Sequence, residues 1–223
     1  MTAFSELVAA TESDLATTLG GFREEGRRIY ATSSFQTQSV PLLHLLSQHA
    51  GVSVVLIDTG YLFPETYDFA HDLKGRLGFD LKQVRSTRTY AEQCTSSGAL
   101  LHTRDVDACC RLNKVEPMES LLGPGDVWVS GIRADQTATR ASKPRLETDD
   151  RGILRYHPML KWTARDIYQY LREHGLPKHP LESAGYLSIG CLPCTRKWDG
   201  SDARSARWEG SSKTECGLHL KSQ

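Results

Sequence analysis

The sequence predicts an α/β protein with a parallel sheet flanked by helices. Residues 52–57 form an almost continuous run of β-branched and apolar side chains, which is typical of a parallel strand buried on both faces. Strand-like and helix-like segments alternate through the first two thirds of the chain, as in layered α/β folds. At 223 residues the chain is long enough for one well-packed core. We therefore expect one domain over residues 1–200 and a mobile C-terminal tail over residues 201–223.

The individual elements follow from local patterns. Residues 5–27 are polar with spaced apolar positions, which predicts one helix or two. Pro41 falls in the first turn of a helical pattern, where proline is tolerated. Thr163 is a candidate helix cap and Gly175 a candidate stop. In chain order, the predicted elements are helix 5–27, strand 28–33, helix 38–49, strand 52–57, helix 64–77, strand 81–85, strand 126–131 and helix 163–173.

The last third is expected to be less regular. Residues 142–155 are polar and weakly periodic, which predicts a mobile loop. Beyond Gly185 the chain is rich in Gly, Ser, Arg and Lys and has little apolar periodicity. Because such a segment cannot build a core of its own, we expect it to be either disordered or organised by a metal and a ligand.

Composition narrows the class of protein. Hydrophobic residues at 39% and charged residues at 24% are ordinary for a globular protein, and a formal net charge of zero gives no indication of a nucleic-acid partner. No apolar run approaches the ~20 residues that span a bilayer, so no membrane association is expected. The N-terminus lacks the basic and apolar parts of an export signal. We therefore expect a cytoplasmic protein, in which grouped cysteines are more often metal ligands or catalysts than disulfides.

Five of the six cysteines fall into three groups: the adjacent pair Cys109 and Cys110, the C-x-x-C pair Cys191 and Cys194, and Cys216 near the C-terminus. Four thiolates suit zinc or an iron–sulfur cluster, while a C-x-x-C pair alone is also compatible with a redox disulfide. Structural zinc usually has ligand pairs spaced by two residues or more, so the adjacent pair favours a four-iron cube. Cys94 has no partner at an informative spacing, and we expect it to be buried.

Three polar segments follow predicted strands. The first, residues 32–39, brings Ser33 and Ser34 to the start of a helix, where an anion can bind. The second segment begins at Asp58, a residue suited to binding a ribose or a base. The third segment, residues 131–140, carries Gly131 and two arginines, Arg133 and Arg140. The guanidinium groups of these arginines suit an oxyanion. The alternative for the first segment is an ordinary Ser/Thr helix cap. For the second it is a helix cap at Asp58, and for the third it is a solvated surface loop.

The C-terminal segment groups basic and nucleophilic residues. Arg204 and Arg207 are three residues apart and share a face if they are helical. Cys216 and His219 are also three apart, and nearby cations favour the nucleophilic thiolate. Lys114 follows Cys110 by one helical turn, which would place its ammonium beside any group that the cysteines hold. The alternatives are that Cys216 is a thiol without a role and that Lys114 is a solvated surface lysine.

Taken together, these residues resemble the assimilatory adenylyl-sulfate and phosphoadenylyl-sulfate reductases. The resemblance covers residues 28–219, and its most specific segments are 58–66, 113–118, 185–190 and 215–219. It implies an adenine-nucleotide α-hydrolase-like fold with a modified pyrophosphate-binding loop. It also implies a [4Fe-4S] cluster on Cys109, Cys110, Cys191 and Cys194.

The resemblance further implies an activity: reduction of adenosine 5′-phosphosulfate by thioredoxin or a glutaredoxin-like donor, through a sulfonate on Cys216. The four cysteines favour this substrate. Gln36 stands where the family usually has glycine, and the surrounding loop looks more like members that use 3′-phosphoadenosine 5′-phosphosulfate, so that substrate is the alternative. Family members commonly form homo-oligomers.

By the same resemblance, site residues can be assigned. Positive groups would offset the charge of sulfate and phosphate; they are Lys114, Arg140, Arg204, Arg207 and His219. Ser33, Ser34, Asp58, Gly131 and Arg133 would hold the nucleotide.

Two other functions share some of these features. An ATP-dependent tRNA-thiolating enzyme would be expected to carry a glycine-rich phosphate loop and a basic RNA-binding extension, which residues 33–38 and the zero net charge do not indicate. A zinc-stabilised nucleotide-binding module would leave the grouped Cys216 and His219 without a use.

Overall fold

The computed structural model describes residues 2–200, 206–208, 213 and 215–219, with His219 described by its backbone alone. The chain divides into two compact units whose segments alternate in sequence. The first comprises Met1–Leu56, Ala70–Lys82 and Leu122–Lys178, and the second comprises Ile57–Phe69, Gln83–Leu121 and His179–Gln223. Much of 201–223 lies outside the described residues, so the separate C-terminal tail stays a prediction.

The described part of the chain contains the predicted elements together with several short ones. The helices are α1 (Ala3–Glu24), α2 (Val40–Ser47), α3 (Pro64–Leu77), α4 (Val106–Cys110), α5 (Glu116–Leu121), α6 (Ala138–Ala141), α7 (Ala164–Glu173) and α8 (Pro180–Ser183). The strands are β1 (Ile29–Ser33), β2 (Val52–Asp58), β3 (Asp80–Arg85), β4 (Val127–Ser130), β5 (Leu146–Thr148) and β6 (Leu154–Tyr156). Each predicted helix and strand is confirmed, with ends that differ by up to three residues.

The six strands form one sheet in the order β3-β2-β1-β4-β6-β5. Strand β1 runs parallel to both β2 and β4, and β4 runs parallel to β6, whereas β5 is antiparallel to β6 at the edge. In this register Thr32 of β1 lies opposite Ser130 of β4. The polar segments that follow these two strands therefore leave the sheet side by side, where α/β proteins usually bind ligands.

The core of the first unit lies between the sheet and its helices. Leu15 and Leu19 of α1 are fully buried, and Phe22 packs edge-on against Tyr156 of β6, with ring centroids 6.3 Å apart. Burial of each such side chain contributes roughly 1.5–3 kcal/mol. The indole of Trp162 donates to the hydroxyl of Thr11, 2.9 Å away, so these two buried polar groups are paired.

The prediction of a mobile loop over residues 142–155 is wrong, because this segment forms the β5–β6 hairpin. Two pairs of its charged side chains bond one another. Arg155 donates to Asp149 at 3.0 Å and its guanidinium lies 4.4 Å from the centroid of the Trp128 ring. Lys143 donates to Glu147 at 2.9 Å. These pairings cover the edge of the sheet with charged groups, which hides the strand periodicity in the sequence.

The second unit contains a continuous helical run over residues 106–121. Helix α4 passes into a π-helical segment, Arg111–Val115, and then into α5. Phe63 packs on Tyr186 with ring centroids 5.5 Å apart, and Thr66 hydrogen-bonds the buried His179 at 3.1 Å. None of the described helices has the length and apolar character needed to cross a bilayer.

Candidate functional site

Four cysteines line one pocket in the second unit. Asp105 caps the start of α4 by accepting from the amide of Ala108 at 2.8 Å, and the helix ends on the adjacent cysteines. The lining residues of the pocket are Thr59, Tyr61, His102, Val106, Cys109, Cys110, Asn113, Lys114, Cys191, Pro193 and Cys194. The structure therefore brings all four predicted metal ligands together.

The turn after β2 holds the C-x-x-C segment in this pocket. The amide of Leu192 donates to the carbonyl of Tyr61 at 2.7 Å, and Leu62 forms an antiparallel bridge with Cys191. The hydroxyl of Thr59 lies 3.2 Å from the sulfur of Cys191. Thr59 therefore contacts a cysteine sulfur directly.

The thiols of this pocket are buried, and burial changes their protonation. It raises the pKa of Cys109 and Cys194, and it raises the pKa of Cys110 to about 12. Asn113 partly opposes this at Cys109, because its amide lies 3.8 Å from the sulfur. Thiolates at these positions would need a nearby positive charge to be stable, which is what a bound metal provides.

Lys114 lies in the π-helical segment immediately after the cysteine pair. Burial disfavours its charged form, whereas thiolate forms of Cys191, Cys216 and Cys110 would favour it and raise the pKa of Lys114, with Arg207 acting against them. Lys114 therefore remains an ammonium group among cysteines. π-Helical turns occur often at functional sites, because they re-aim side chains within a helix.

The described part of the C-terminal segment packs against this same helical run. A short turn, Gly217–His219, places Gly217 so close to Val115 that an added Cβ would lie 3.3 Å from Cγ2. Lys213 forms an ion pair with Asp107 of α4. The backbone amide of the half-buried Cys216 donates to the carboxylate of Glu215 at 2.9 Å. Arg204 and the side chain of His219 lie outside the described residues.

Arg207 is extended rather than helical, because it forms a bridge with Thr195. Its Nε donates to the carbonyl of Cys194 at 3.1 Å, and its guanidinium lies 4.7 Å from the ring centroid of Trp208. The guanidinium also passes over the backbone of Gly190 so closely that a Cβ there would lie 2.6 Å from Cζ. The structure thus ties Arg207 to the C-x-x-C segment.

Asp58 ends β2 and organises the turn that follows. Its carboxylate accepts from the amide of Gly60 at 2.8 Å, from the hydroxyl of Tyr67 and from the amide of Gln83 at 2.9 Å. Burial opposes the charged form, yet these hydrogen bonds and the nearby Arg85 lower the pKa of Asp58. The carboxylate is therefore ionised and engaged within its own unit, and a direct contact with a nucleotide stays a prediction.

In the first unit, Ser33 and Ser34 follow β1. The hydroxyl of Ser33 accepts from the amide of Phe35 at 3.0 Å, and Ser34 is exposed. Phe35 has a φ of 54°, an uncommon conformation for a side chain of this size, although its ring is fully buried. Strained backbone of this kind often marks ligand-binding loops.

Gly131, Arg133 and Arg140 follow the neighbouring strand β4. A Cβ at Gly131 would lie 3.1 Å from Leu42, so this position favours glycine. Arg133 is buried, and its guanidinium donates to Gln38 at 2.9 Å and to Asp135 at 3.0 Å. Arg140 is also buried and donates to Gln136. Arg133 thus braces the two loops, and direct oxyanion binding by either arginine stays a prediction.

Among the described His, Cys, Asp and Glu side chains, no group of three or more is arranged to hold a single metal ion. All six cysteines are described and all are free thiols. The expectation that Cys94 is buried is wrong: it is half-buried, in a bridge with Leu100.

Three residues of the pocket were not predicted as contacts to sulfur. Thr59 follows Asp58, and its hydroxyl lies against the sulfur of Cys191. Asn113 follows Cys109 by four residues, and that helical spacing is a signal that could have identified it. His102 lines the pocket and packs edge-on against Tyr61, with ring centroids 4.9 Å apart. Nothing in the sequence around His102 indicates this placement.

The chain is similar to curated bacterial proteins over most of its length. A protein of Streptomyces coelicolor named adenosine 5′-phosphosulfate reductase is 43% identical over 197 residues, which is 87% of this chain and 83% of that protein. A Rhodococcus opacus protein of the same name is 39% identical over 220 residues, covering 96% of this chain and 87% of that one.

Solved structures show the same fold at low identity. The phosphoadenylyl-sulfate reductase of Candida auris aligns with a TM-score of 0.59 at 22% identity, covering 81% of this chain and 94% of that one. The U34-tRNA thiolase NcsA of Methanococcus maripaludis, solved with its [4Fe-4S] cluster, aligns with a TM-score of 0.51 at 14% identity, covering 79% and 67%. The family model of the phosphoadenosine phosphosulfate reductase domain matches residues 28–197. With this match and the identity to the curated bacterial reductases, the chain belongs to the phosphoadenosine phosphosulfate reductase family.

Proposed function

We propose that this protein reduces adenosine 5′-phosphosulfate to sulfite and AMP in sulfate assimilation, with thioredoxin or a glutaredoxin-like protein as the electron donor. The names of its bacterial relatives support this substrate. The observation in the structure that carries the proposal is the packing of the Cys216 turn against the segment with Lys114. A thiol nucleophile next to a half-buried cation is suited to attack on an anionic substrate.

The first step is attack of the Cys216 thiolate on the sulfur of the substrate. A bond forms between Sγ and this sulfur, and the bond from sulfur to the bridging phosphate oxygen breaks. AMP leaves with that electron pair, and a sulfonate remains on Cys216. Sulfate alone resists this attack because its negative oxygens repel a thiolate, whereas attachment to AMP supplies a good leaving group.

The second step is attack of a reduced thioredoxin thiolate on Sγ of Cys216, by the logic of thiol–disulfide exchange. Sulfite leaves with the electron pair of the broken S–S bond. The mixed disulfide is then resolved by the second thiol of thioredoxin, so its dithiol supplies both electrons. Because Cys216 serves two partners in turn, we expect residues 201–223 to close over substrate and to open for thioredoxin.

Positive groups would stabilise the charge that develops during the first step. Lys114 and Arg207 lie within the second unit beside the cysteines and are the best supported by contacts. Arg140, Arg204 and His219 complete the proposed set. Nucleotide binding is assigned to Ser33, Ser34, Asp58, Gly131 and Arg133, with Arg133 acting through the loop that it braces.

Cys109, Cys110, Cys191 and Cys194 would hold a [4Fe-4S] cluster. The donor set fits, because four thiols line one pocket. Burial raises the pKa of Cys109, Cys110 and Cys194, so their ligating thiolate forms would need compensating positive charge, which the iron of a cluster would supply. Bound there, the cluster would supply structural support and an electrostatic environment for Lys114. The two electrons of the reaction are already accounted for by thioredoxin.

The proposal includes a cytoplasmic location, because free thiols need a reducing compartment. It also includes self-association as a homo-oligomer, and no nucleic-acid or membrane partner.

The test is a single-turnover mass spectrum of anaerobically purified protein without thioredoxin. Adenosine 5′-phosphosulfate and its 3′-phosphorylated form are added separately. We expect a sulfonate on Cys216 from the first nucleotide. An adduct from the 3′-phosphorylated form alone would show that the loop around Gln36, and not the cysteines, sets the substrate.

Two cysteine variants make the test specific. Cys216→Ser should form no adduct and release no sulfite with thioredoxin. Cys94→Ser, at a half-buried thiol outside the proposed chemistry, should behave as the wild type. Sulfite release by Cys216→Ser at the wild-type rate would contradict the mechanism.

A further inference from the structure

His102 is a polar residue of the cysteine pocket that the mechanism above does not use. It lies in a single turn, Leu101–Thr103, and lines the pocket together with the four cysteines. Its Nδ1 atom is buried, and among the described residues it has no hydrogen-bond partner. A buried ring nitrogen without a partner is rare in folded proteins and calls for an explanation, such as a bound group.

The surroundings of His102 indicate what kind of group this is. The ring of Tyr61 packs edge-on against the His102 ring, with ring centroids 4.9 Å apart. Two other polar side chains of the pocket already lie against sulfur: Thr59 at 3.2 Å from Cys191 and Asn113 at 3.8 Å from Cys109. The pocket thus surrounds sulfur atoms with hydrogen-bonding groups, and His102 is the member whose partner is missing.

We propose that His102 Nδ1 donates a hydrogen bond to a sulfur of the iron–sulfur group in this pocket, which makes His102 a positioning residue for that group. The inference rests on the cluster of the proposed function. A neutral imidazole carries one proton, and electron-rich sulfur favours the tautomer with that proton on Nδ1. Hydrogen bonds to the sulfurs of a cluster withdraw charge from it, raise its reduction potential and hold it in place.

The test compares variants of the full chain purified anaerobically. His102→Phe keeps a ring of similar shape but removes the donor. His102→Asn keeps a donor close to the position of Nδ1, whereas the longer His102→Gln carries its amide nitrogen near the position of Nε2. His71, an exposed residue of α3, provides the control His71→Phe.

The first measurement is the rate at which a ferrous chelator removes iron, followed by the loss of visible absorbance. We expect His102→Phe and His102→Gln to lose iron about tenfold faster than the wild type, as typical for loss of a contact behind a metal ligand. The second measurement is the midpoint potential of the cluster, which should be lower in the same two variants. His102→Asn and His71→Phe should match the wild type in both.

Two results would overturn the inference, and they differ. If wild type and His102→Phe hold equal iron and sulfide, release iron at equal rates and share one midpoint potential, His102 does not contact the cluster. If wild-type protein holds no iron or sulfide, the proposed cofactor itself is wrong and this inference falls with it. Should His102→Phe fail to fold, which circular dichroism will show, the comparison of His102→Gln with His102→Asn decides the matter by the same measurements.

Discussion

At the scale of single residues, the ammonium group of Lys114 interacts electrostatically with the side chains of cysteines. Thiolate forms of Cys191, Cys216 and Cys110 would raise its pKa, against the effect of its own burial. A half-buried charge of this kind is retained where it stabilises developing negative charge. Lys114 is therefore the residue from which we expect the largest effect on the chemical step apart from Cys216.

The first prediction concerns Lys114→Ala. Removal of a preorganised positive group from a reaction that builds negative charge typically lowers kcat by about 10²-fold. We expect a loss of this order in the rate of sulfonate formation on Cys216, measured by rapid quench and mass spectrometry. Lys114→Arg, which keeps the charge, should lose less. A full rate in Lys114→Ala protein with unchanged iron content would show that its charge has no part in the chemical step.

The second prediction concerns Gly190, whose missing side chain makes room for Arg207. A Cβ at this position would lie 2.6 Å from Cζ of the guanidinium, which must then move and release the carbonyl of Cys194. Loss of a hydrogen bond from a charged group costs about 1.5–3 kcal/mol. We therefore expect Gly190→Ala to lower kcat/KM by roughly tenfold to hundredfold.

A double-mutant cycle tests the cause of this loss. In an Arg207→Ala background, Gly190→Ala should have no further effect, because the clash is gone. Gly75→Ala is the matched control, since a Cβ there meets nothing within 4 Å. Additive losses in the double variant would show that Gly190 acts by some route other than Arg207.

Residue spacing was sufficient to predict which cysteines share a pocket and that Lys114 lies beside them. It did not indicate His102 or the contact of Gly190 with Arg207. Helical and C-x-x-C spacings join residues that are close in the chain, so they can be recognised from the sequence alone. The other contacts depend on where separate loops meet, and Arg133 shows the same limit: its guanidinium fork suits an oxyanion, yet it bonds Gln38 and Asp135.

At the scale of elements, the start of α7 is fixed by reciprocal capping. The Thr163 hydroxyl accepts from the amide of Asp166 at 3.3 Å, and the Asp166 carboxylate accepts from the amide of Thr163 at 2.8 Å. Asp135 accepts from the next amide, that of Ala164, at 2.8 Å while it also pairs with Arg133. The cap of α7 and the contact that holds Arg133 therefore share one carboxylate, that of Asp135.

The third prediction follows from this cap. Thr163→Ala removes the acceptor for one helix amide and should lower the free energy of unfolding by about 1 kcal/mol. Thr163→Ser keeps the hydroxyl and should lose a few tenths at most. The urea midpoint of each variant measures the difference. Equal midpoints for Thr163→Ala and the wild type would mean that Asp135 and Asp166 alone satisfy the helix start.

Capping and periodicity explain why α7, α3 and the buried strands could be predicted from the sequence. The β5–β6 hairpin could not, because its charged residues find partners only once the strands pair. The helical run over residues 106–121 was not predicted either, and the extra residue per turn of its π-helical segment depends on packing.

At the scale of the whole molecule, the α/β class could be predicted because alternation of strands and helices is a local signal repeated along the chain. The two compact units could not. The second unit combines three segments, Ile57–Phe69, Gln83–Leu121 and His179–Gln223, that are remote in sequence. The change of composition beyond Gly185 lies near the start of the last of these segments, but nothing in the sequence indicates that the three segments pack together.

Several buried and half-buried histidines make the stability of the protein depend on pH. His157 is 4% exposed, and its Nδ1 hydrogen-bonds the hydroxyl of Ser130 at 2.8 Å. Burial lowers the pKa of His157; Lys143 and Arg155 act in the same direction, while Glu147, 3.7 Å from Nε2, opposes them. Burial also lowers the pKa of three other histidines: His44, His49 and His179.

The fourth prediction gives the sign of this dependence. Because the folded chain keeps His157 neutral, its contribution is fully present above the unfolded pKa of about 6.5 and is lost as the pH falls. At pH 5.5 the unfolded chain gains up to about 1.4 kcal/mol from protonating this residue. The urea midpoint of the wild type should therefore fall between pH 7.5 and 5.5.

The urea midpoint of His157→Asn, which keeps a partner for Ser130 but cannot titrate, should fall less over the same range. It should still fall, because the other histidines with lowered pKa values remain. His71→Asn at an exposed site should follow the wild type. If the midpoint of His157→Asn falls as steeply as that of the wild type, His157 takes up its proton in the folded protein, and the Ser130 contact does not keep it neutral.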